Sequence, residues 1–187
     1  LAGVPGTLGG ALKMNAGAWG SEISNFLVSV DVIDSKGNLK TLNPNNLKFQ
    51  YRSSSFNSND FIISARFKLE KSNEKNIKHK KKIASDGRIK TQPLKYRSAG
   101  SVFKNPNSML AAGFLIDKSG LKGTVCGGAE ISTHHANFFI NHGNAKAKDI
   151  ANLIKLSRLS IFDRFGIMLD LEIKTIGFKN KELFPYD

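Results

Sequence analysis

The stretch AKAKDIANLIKLSRLSIFDRFGIMLDLEIKTIG, residues 145–177, carries two hydrophobic periods back to back. From Ala145 to Phe165, the residues Ile150, Leu153, Ile154, Leu156, Leu159 and Phe162 fall near one face of a 3.6-residue helix, and Gly166 can stop it. From Ile167 to Ile176 the period drops to two. Ile167, Leu169, Leu171 and Ile173 point one way, and Met168, Asp170, Glu172 and Lys174 the other. A helix followed by a half-buried strand is expected. The same mixture recurs upstream. Phe26–Ile33 reads as a β-branched strand, Asp34–Asn38 as a turn, and Leu39–Leu42 as the returning strand. Asp60–Leu69 is a further strand, Ser108–Ser119 a short helix, and Thr124–Ser132 and Phe138–Asn141 short strands. Helices and strands interspersed through short turns give an α+β class.

The 187 residues are enough for one or two domains with a real core. Hydrophobic residues at 40% and charged residues at 23% argue against disorder of the whole chain. A single cysteine, Cys126, excludes an internal disulfide framework and a multi-cysteine zinc site. No run of 18 uninterrupted apolar residues exists to span a bilayer as a helix. The chain opens at Leu1 without methionine, inside a glycine-rich motif, and is read as lacking its true N-terminus.

The formal net charge is +13, which raises a nucleic-acid reading. Much of it is concentrated. Residues 71–90 hold eight lysines and arginines against Glu74 and Asp86. That stretch has no aromatic residue on which a base could stack. It is read as a solvated connector between domains, over residues 71–87. The milder excess elsewhere suits a small anionic ligand such as a diphosphate.

Four constellations carry candidate chemistry. Residues 1–20 contain six glycines, with Gly3, Gly6, Gly9 and Gly10 around Pro5 and Thr7. The spacing matches neither G-x-G-x-x-G nor G-K-[ST], so it reads equally as a tight packed turn or an anion cradle. Arg52, after Tyr51 and before Ser53 and Ser54, is either a surface cation or a fork for a carboxylate. Ser101 lies in SAGSVFKNP, which is not a hydrolase elbow. Glu172 is either on a solvated strand face or at a cleft. His134, His135 and His142 lack metal-ligand spacing, so no metal site is expected.

Six segments, in order, resemble one family. They are GVPGTLGGALKMNAGAWG at 3–20, YRSS at 51–54, QPLKYRSAGSVFKNP at 92–106, AGFLIDKSGLKG at 112–123, GGAEISTHHANFFIN at 127–141 and FGIMLDLEIKTIG at 165–177. The family is UDP-N-acetylenolpyruvoylglucosamine reductase, a flavoenzyme of bacterial peptidoglycan precursor synthesis. The resemblance implies that residues 1–70 form the second lobe of a two-lobed FAD-binding domain. It implies that residues 88–187 form an α+β substrate-binding domain. The short step from Arg52 to Ser101 fits the short type of the family. Lys13, Arg97 and His134 depart from its usual pattern.

The resemblance also implies the chemistry. NADPH reduces FAD, and the enolpyruvyl ether of a UDP-sugar receives the hydride, leaving an enolate to be stabilised and then protonated. Arg52 and Glu172 would stabilise it and Ser101 would donate the proton. Pro5, Gly6, Thr7, Gly9, Gly10, Asn15 and Gly17 would line FAD. Tyr51, Lys104, Asn105, His135 and Asn137 would meet substrate, with His135 and Asn137 equally readable as structural. A cytoplasmic monomer is implied, with a small-molecule UDP-sugar as its partner and neither nucleic acid nor membrane. Three alternatives stay open: another FAD-dependent oxidoreductase of the same fold, a basic nucleic-acid-binding module, and an inert fragment.

Overall fold

A computed structural model describes residue 4 and residues 6–183 of the chain. Pro5 therefore lies outside the described residues. The chain divides into two compact units, with the division between Asp86 and Gly87.

The first unit opens on helix α1 (Leu8–Lys13), which starts inside the glycine-rich segment. Thr7 caps it: its hydroxyl accepts from the Gly10 N–H at 3.1 Å. The hairpin β1 (Gly17–Ala18) and β2 (Ser21–Glu22) follows. A single 3₁₀ turn then leads into β3 (Leu27–Ile33), the central strand of a three-stranded antiparallel sheet with β4 (Leu39–Leu42) and β7 (Phe61–Phe67). Between β4 and β7 lies the small hairpin β5 (Phe49–Gln50) and β6 (Ser53–Ser54). Leu12, Ile23, Leu27, Val30 and Val32 form the core, with Phe49, Phe56 and Ile62 packed against them.

The basic stretch read as a connector is helical. Helix α2 runs Glu74–Thr91 and buries no side chain. Lysine, alanine and arginine have good helix propensity, and the pairs Glu74–Lys78 and Lys82–Asp86 add i,i+4 support at 2.6 and 2.8 Å.

In the second unit, β8 (Arg97–Ser101) is the edge of a four-stranded antiparallel sheet in the order β8, β11 (Phe138–Asn141), β10 (Ala129–Ile131), β9 (Val125–Cys126). Helix α3 (Ala112–Lys118) and helix α4 (Ala147–Phe165) pack on its core, and the turn α5 (Asn180–Leu183) closes the described chain. Gly166 ends α4 in the left-handed region at φ 67°. The buried face of α4 is rotated from the expected one. Leu156 and Phe162 are each 38% exposed, whereas Ser157 and Arg158 are fully buried.

The expected strand over Ile167–Ile176 does not form. Its alternation survives as burial, with Leu169 at the core and Ile167, Leu171 and Ile173 packed around it. Among the described residues a single bridge, Leu171 to Phe103, connects it to a neighbour. A period-two pattern fixes which side chains face inward and leaves open whether a partner strand lies alongside.

The Gly127–Gly128 turn between β9 and β10 is packed under the start of α4. A Cβ at Gly128 would lie 2.5 Å from the Ala145 nitrogen, and Gly127 has φ 54°. Gly128→Ala is expected to destabilise the second unit by about 1–3 kcal/mol through overpacking. A lowered urea midpoint would show it; an unchanged midpoint would mean that residues 144–145 yield.

Candidate active site

Each unit holds part of the candidate chemistry. In the first, Tyr51 and Arg52 form the two-residue tip between β5 and β6. The tip is pinned by the end of α1. Asn15 Nδ2 donates to the Gln50 carbonyl at 3.2 Å, and the Ser54 hydroxyl donates to the Lys13 carbonyl at 2.7 Å. Asn15 also donates to Glu22 Oε2 at 2.6 Å. The unusual Lys13 has a structural use, since its ammonium donates to the carbonyls of Asn57 and Ser58. Arg52 stands at φ 52°, a left-handed conformation that favours glycine or asparagine. Its guanidinium lies 5.0 Å from the Tyr51 ring centroid, within cation–π range.

The glycines divide by cause. Gly17 is required by the fold, because a Cβ there would lie 2.9 Å from the Ser21 carbonyl. Gly9 would make only an ordinary contact with Ile62, and Gly6, at φ 130°, faces open space. Asn15 Oδ1 is buried and has no hydrogen-bond partner among the described residues. Thr7 Oγ1 serves as the α1 cap.

In the second unit, Ser101 ends β8 opposite Phe138. The register with β11 shifts between Phe138 and Ile140, opposite Gly100 at φ 84°, which makes a bulge one residue before Ser101. Past Ser101 the chain leaves β11. The Lys104 N–H donates to the Asp170 carbonyl, and the Val102 carbonyl accepts from the Glu172 N–H, each at 2.8 Å. Ser101 and Glu172, far apart in sequence, therefore sit on directly bonded stretches of backbone. Phe103 is fully buried below them, edge-on to Phe139 at 6.0 Å. Arg158 stacks over Phe103 and donates through Nε to the Leu169 carbonyl and through Nη1 to the Leu183 carbonyl, both at 2.9 Å. Nothing in the sequence marked Arg158; a cation inside an apolar helical face is the one available signal.

A recess of about 340 Å³ opens beside this junction, lined among others by Ser101, Asn105, Asp117, Lys122, His134 and His135. The Asn105 Oδ1 accepts from the Ala112 N–H at 3.1 Å, at the start of α3. Asp117 and Lys122 pair at 2.9 Å. Lys104 is half-buried one residue before Asn105. The Asn137 amide is turned to protein: Oδ1 accepts from the Phe103 N–H at 2.9 Å and Nδ2 donates to the Phe103 carbonyl at 2.8 Å. A larger recess of about 460 Å³ lies at Asp34, Lys40 and Asp60 in the first unit. There Asp34 is ion-paired with Lys40 at 2.7 Å and held well below the usual carboxylate range, first by Lys40 and then by the Asn38 N–H. No cluster of metal-ligating side chains occurs among the described residues, and none of their helices is long and apolar enough to cross a membrane.

His135 Nδ1 accepts from the Asn137 N–H at 3.2 Å. Burial pushes the imidazole below its ordinary 6.5, with smaller contributions in the same direction from His134 and Lys122. A depressed folded value means that its contribution is present above 6.5 and is lost as the pH falls through the folded value. His135→Gln is therefore expected to flatten the acid limb of the stability profile below pH 6.5, measured by thermal melts. An unchanged acid limb would remove His135 as its source. Arg52→Asn is expected to keep or raise the unfolding midpoint of the first unit, by up to ~1 kcal/mol, because asparagine tolerates the left-handed region. A clear loss of stability would show that contacts of the arginine outweigh its backbone strain.

Residues 92–176 match the family described as UDP-N-acetylenolpyruvoylglucosamine reductase, C-terminal domain. The reductase of Rickettsia canadensis is 43% identical over 177 residues, which is 95% of this chain and 60% of that protein. The reductase of Clostridioides difficile is 42% identical over 176 residues, 94% of this chain and 58% of that protein. The crystal structure of the Thermus caldophilus reductase superposes with a TM-score of 0.82 at 36% identity, over 92% of this chain and 61% of that one. The chain thus spans about three fifths of the length of these relatives. Through nearly all of its residues, in sequence and in fold, the chain is similar to UDP-N-acetylenolpyruvoylglucosamine reductases, and residues 92–176 carry the match to the C-terminal domain of that family.

Proposed function

We propose that the protein takes part in reducing the enolpyruvyl ether of a UDP-N-acetylglucosamine to UDP-N-acetylmuramate, a step of peptidoglycan precursor synthesis in the bacterial cytoplasm. NADPH is the reductant and FAD the carrier. The observation that supports this reading most is the direct backbone bond between the Val102 carbonyl and the Glu172 N–H, which brings the Ser101 and Glu172 segments together beside a recess.

The residues of the first unit suit a flavin dinucleotide. Gly6 leaves open space where a side chain would stand, Gly9 tolerates a Cβ and so is not demanded by packing, and Asn15 presents a buried acceptor without a partner among the described residues. Pro5, Thr7, Gly10 and Gly17 belong to the same proposed set of flavin-lining residues. When bound, the flavin would supply a hydride to the enolpyruvyl double bond.

The chain's own groups then handle charge and proton. Hydride addition leaves electron density that spreads into the substrate carboxylate as an enolate. The Arg52 fork matches a carboxylate geometrically and stabilises the developing charge. Glu172, if protonated, donates a hydrogen bond to an enolate oxygen. Ser101 is a weak acid in water and serves only against a strongly basic carbon in fixed geometry, which the bonds on either side of it supply. Lys104 and Asn105 would face the diphosphate, and Tyr51 and His135 the substrate's flanks.

The test uses the chain extended to the full length of its relatives and loaded with FAD. NADPH consumption is expected to depend on the enolpyruvyl UDP-sugar; consumption indifferent to it would move the reading to another flavoenzyme. Ser101→Ala is expected to keep flavin reduction by NADPH and lose most product. Glu172→Gln should cost roughly 3–4 kcal/mol of barrier, by analogy with removal of one oxyanion donor. Full turnover by Ser101→Ala would refute the proton-donor role.

A further inference from the structure

We propose that Asn137 is a positioning residue: its side-chain amide clamps the backbone between Ser101 and Asn105, and does not bind substrate. This inference rests on the reductase reading above. Asn137 is 3% exposed. Its main-chain carbonyl accepts from the Val102 N–H at 2.8 Å, its Oδ1 accepts from the Phe103 N–H at 2.9 Å, and its Nδ2 donates to the Phe103 carbonyl at 2.8 Å. One residue therefore makes three hydrogen bonds to the backbone of two consecutive residues, Val102 and Phe103.

The place of the clamp explains its need. β8 stops pairing with β11 at Ser101, and the chain then joins residues 170–172 through Val102 and Lys104. Phe103 stands at that exchange of partners, in a dry core where an unpaired peptide group is costly. A primary amide has the donor and acceptor of a peptide group on one plane. Aspartate lacks the donor, alanine lacks both groups, and glutamine is one methylene longer. With Oδ1 and Nδ2 both bonded to Phe103, the amide's two polar ends are directed at the loop. Its effect reaches Ser101 and Asn105 on either side of Phe103. It reaches Glu172 through the Val102 carbonyl.

Two variants, Asn137→Ala and Asn137→Asp, in the full-length flavin-loaded protein test this. Amide exchange at Phe103, read by NMR or mass spectrometry, is expected to accelerate at least ~100-fold in Asn137→Ala while α4 amides such as Ile154 keep their protection. For sugar-dependent turnover, kcat is expected to fall ~30- to 100-fold in both variants, with KM for the sugar within ~3-fold and flavin reduction by NADPH unchanged, because misplacement of about 1 Å carries a cost of that order. Asn137→Asp keeps the shape of the side chain and covers the case in which the alanine variant does not fold. A raised KM with unchanged kcat would make Asn137 a substrate contact and overturn the proposal. So would wild-type exchange at Phe103, or wild-type kcat in Asn137→Asp. Absence of sugar-dependent turnover in the unmutated protein would instead defeat the reductase reading, and the exchange rates would still decide the clamp.

Discussion

The backbone after Ser101 changes partners within two residues, and every buried peptide group in that exchange must still find a donor or an acceptor. The second unit is organised around meeting this demand. β11 serves the chain up to Ser101, Asn137 serves Phe103, and residues 170–172 serve Val102 and Lys104. Below the junction, the Phe103 ring is fixed between Phe139 and Arg158. Arg158 ties in the Leu169 and Leu183 carbonyls, so the segment that carries Glu172 is held at its own start. A buried cation is tolerated there because its guanidinium donates to carbonyls and rests on an aromatic face.

The first unit solves a different problem. It presents Arg52 at the tip of a hairpin too short to be stable by itself, so the end of α1 holds both of its strands. The arginine occupies a backbone conformation that glycine or asparagine would hold with less strain. Its guanidinium rests over the Tyr51 ring, and the proposed binding of a carboxylate would give it a further use. Gly9 follows the same logic from the other side: alanine would suit α1 better and would fit against Ile62.

The elements legible in the sequence were those whose pattern has one physical cause. The apolar face and the terminal glycine of α4, and the β-branched run of β3, each point to one local conformation. Residues 167–176 misled because alternation reports burial, whereas a strand also requires a neighbour along its whole edge. Residues 71–90 are solvated as read, since α2 buries no side chain; their helical form was not legible because dense cationic charge reads as solvated chain, whereas lysine-rich sequence with i,i+4 carboxylates also makes a good exposed helix. At the candidate site, the order of the six segments carried the resemblance to the family, and its residue types carried the expected chemistry. What they left undecided was whether His135 and Asn137 face a ligand or the protein. The same amide serves either purpose, and only the position of the Phe103 backbone separates them. Arg158 was missed because charge ordinarily marks an outer face.

The bonds from Lys104 to Asp170 and from Val102 to Glu172 close a loop of roughly 70 residues, which costs about 4 kcal/mol of chain entropy beyond a constant. Hairpins such as β10–β11, and helix α4 within itself, close far shorter loops. During synthesis residues 170–172 emerge after every strand of the sheet has been made. The surroundings of Ser101 are thus completed only after the whole sheet has left the ribosome. Until then the Val102 carbonyl and the Lys104 N–H lie open to water or to other strand edges. The order of translation leaves this junction exposed in a half-finished chain.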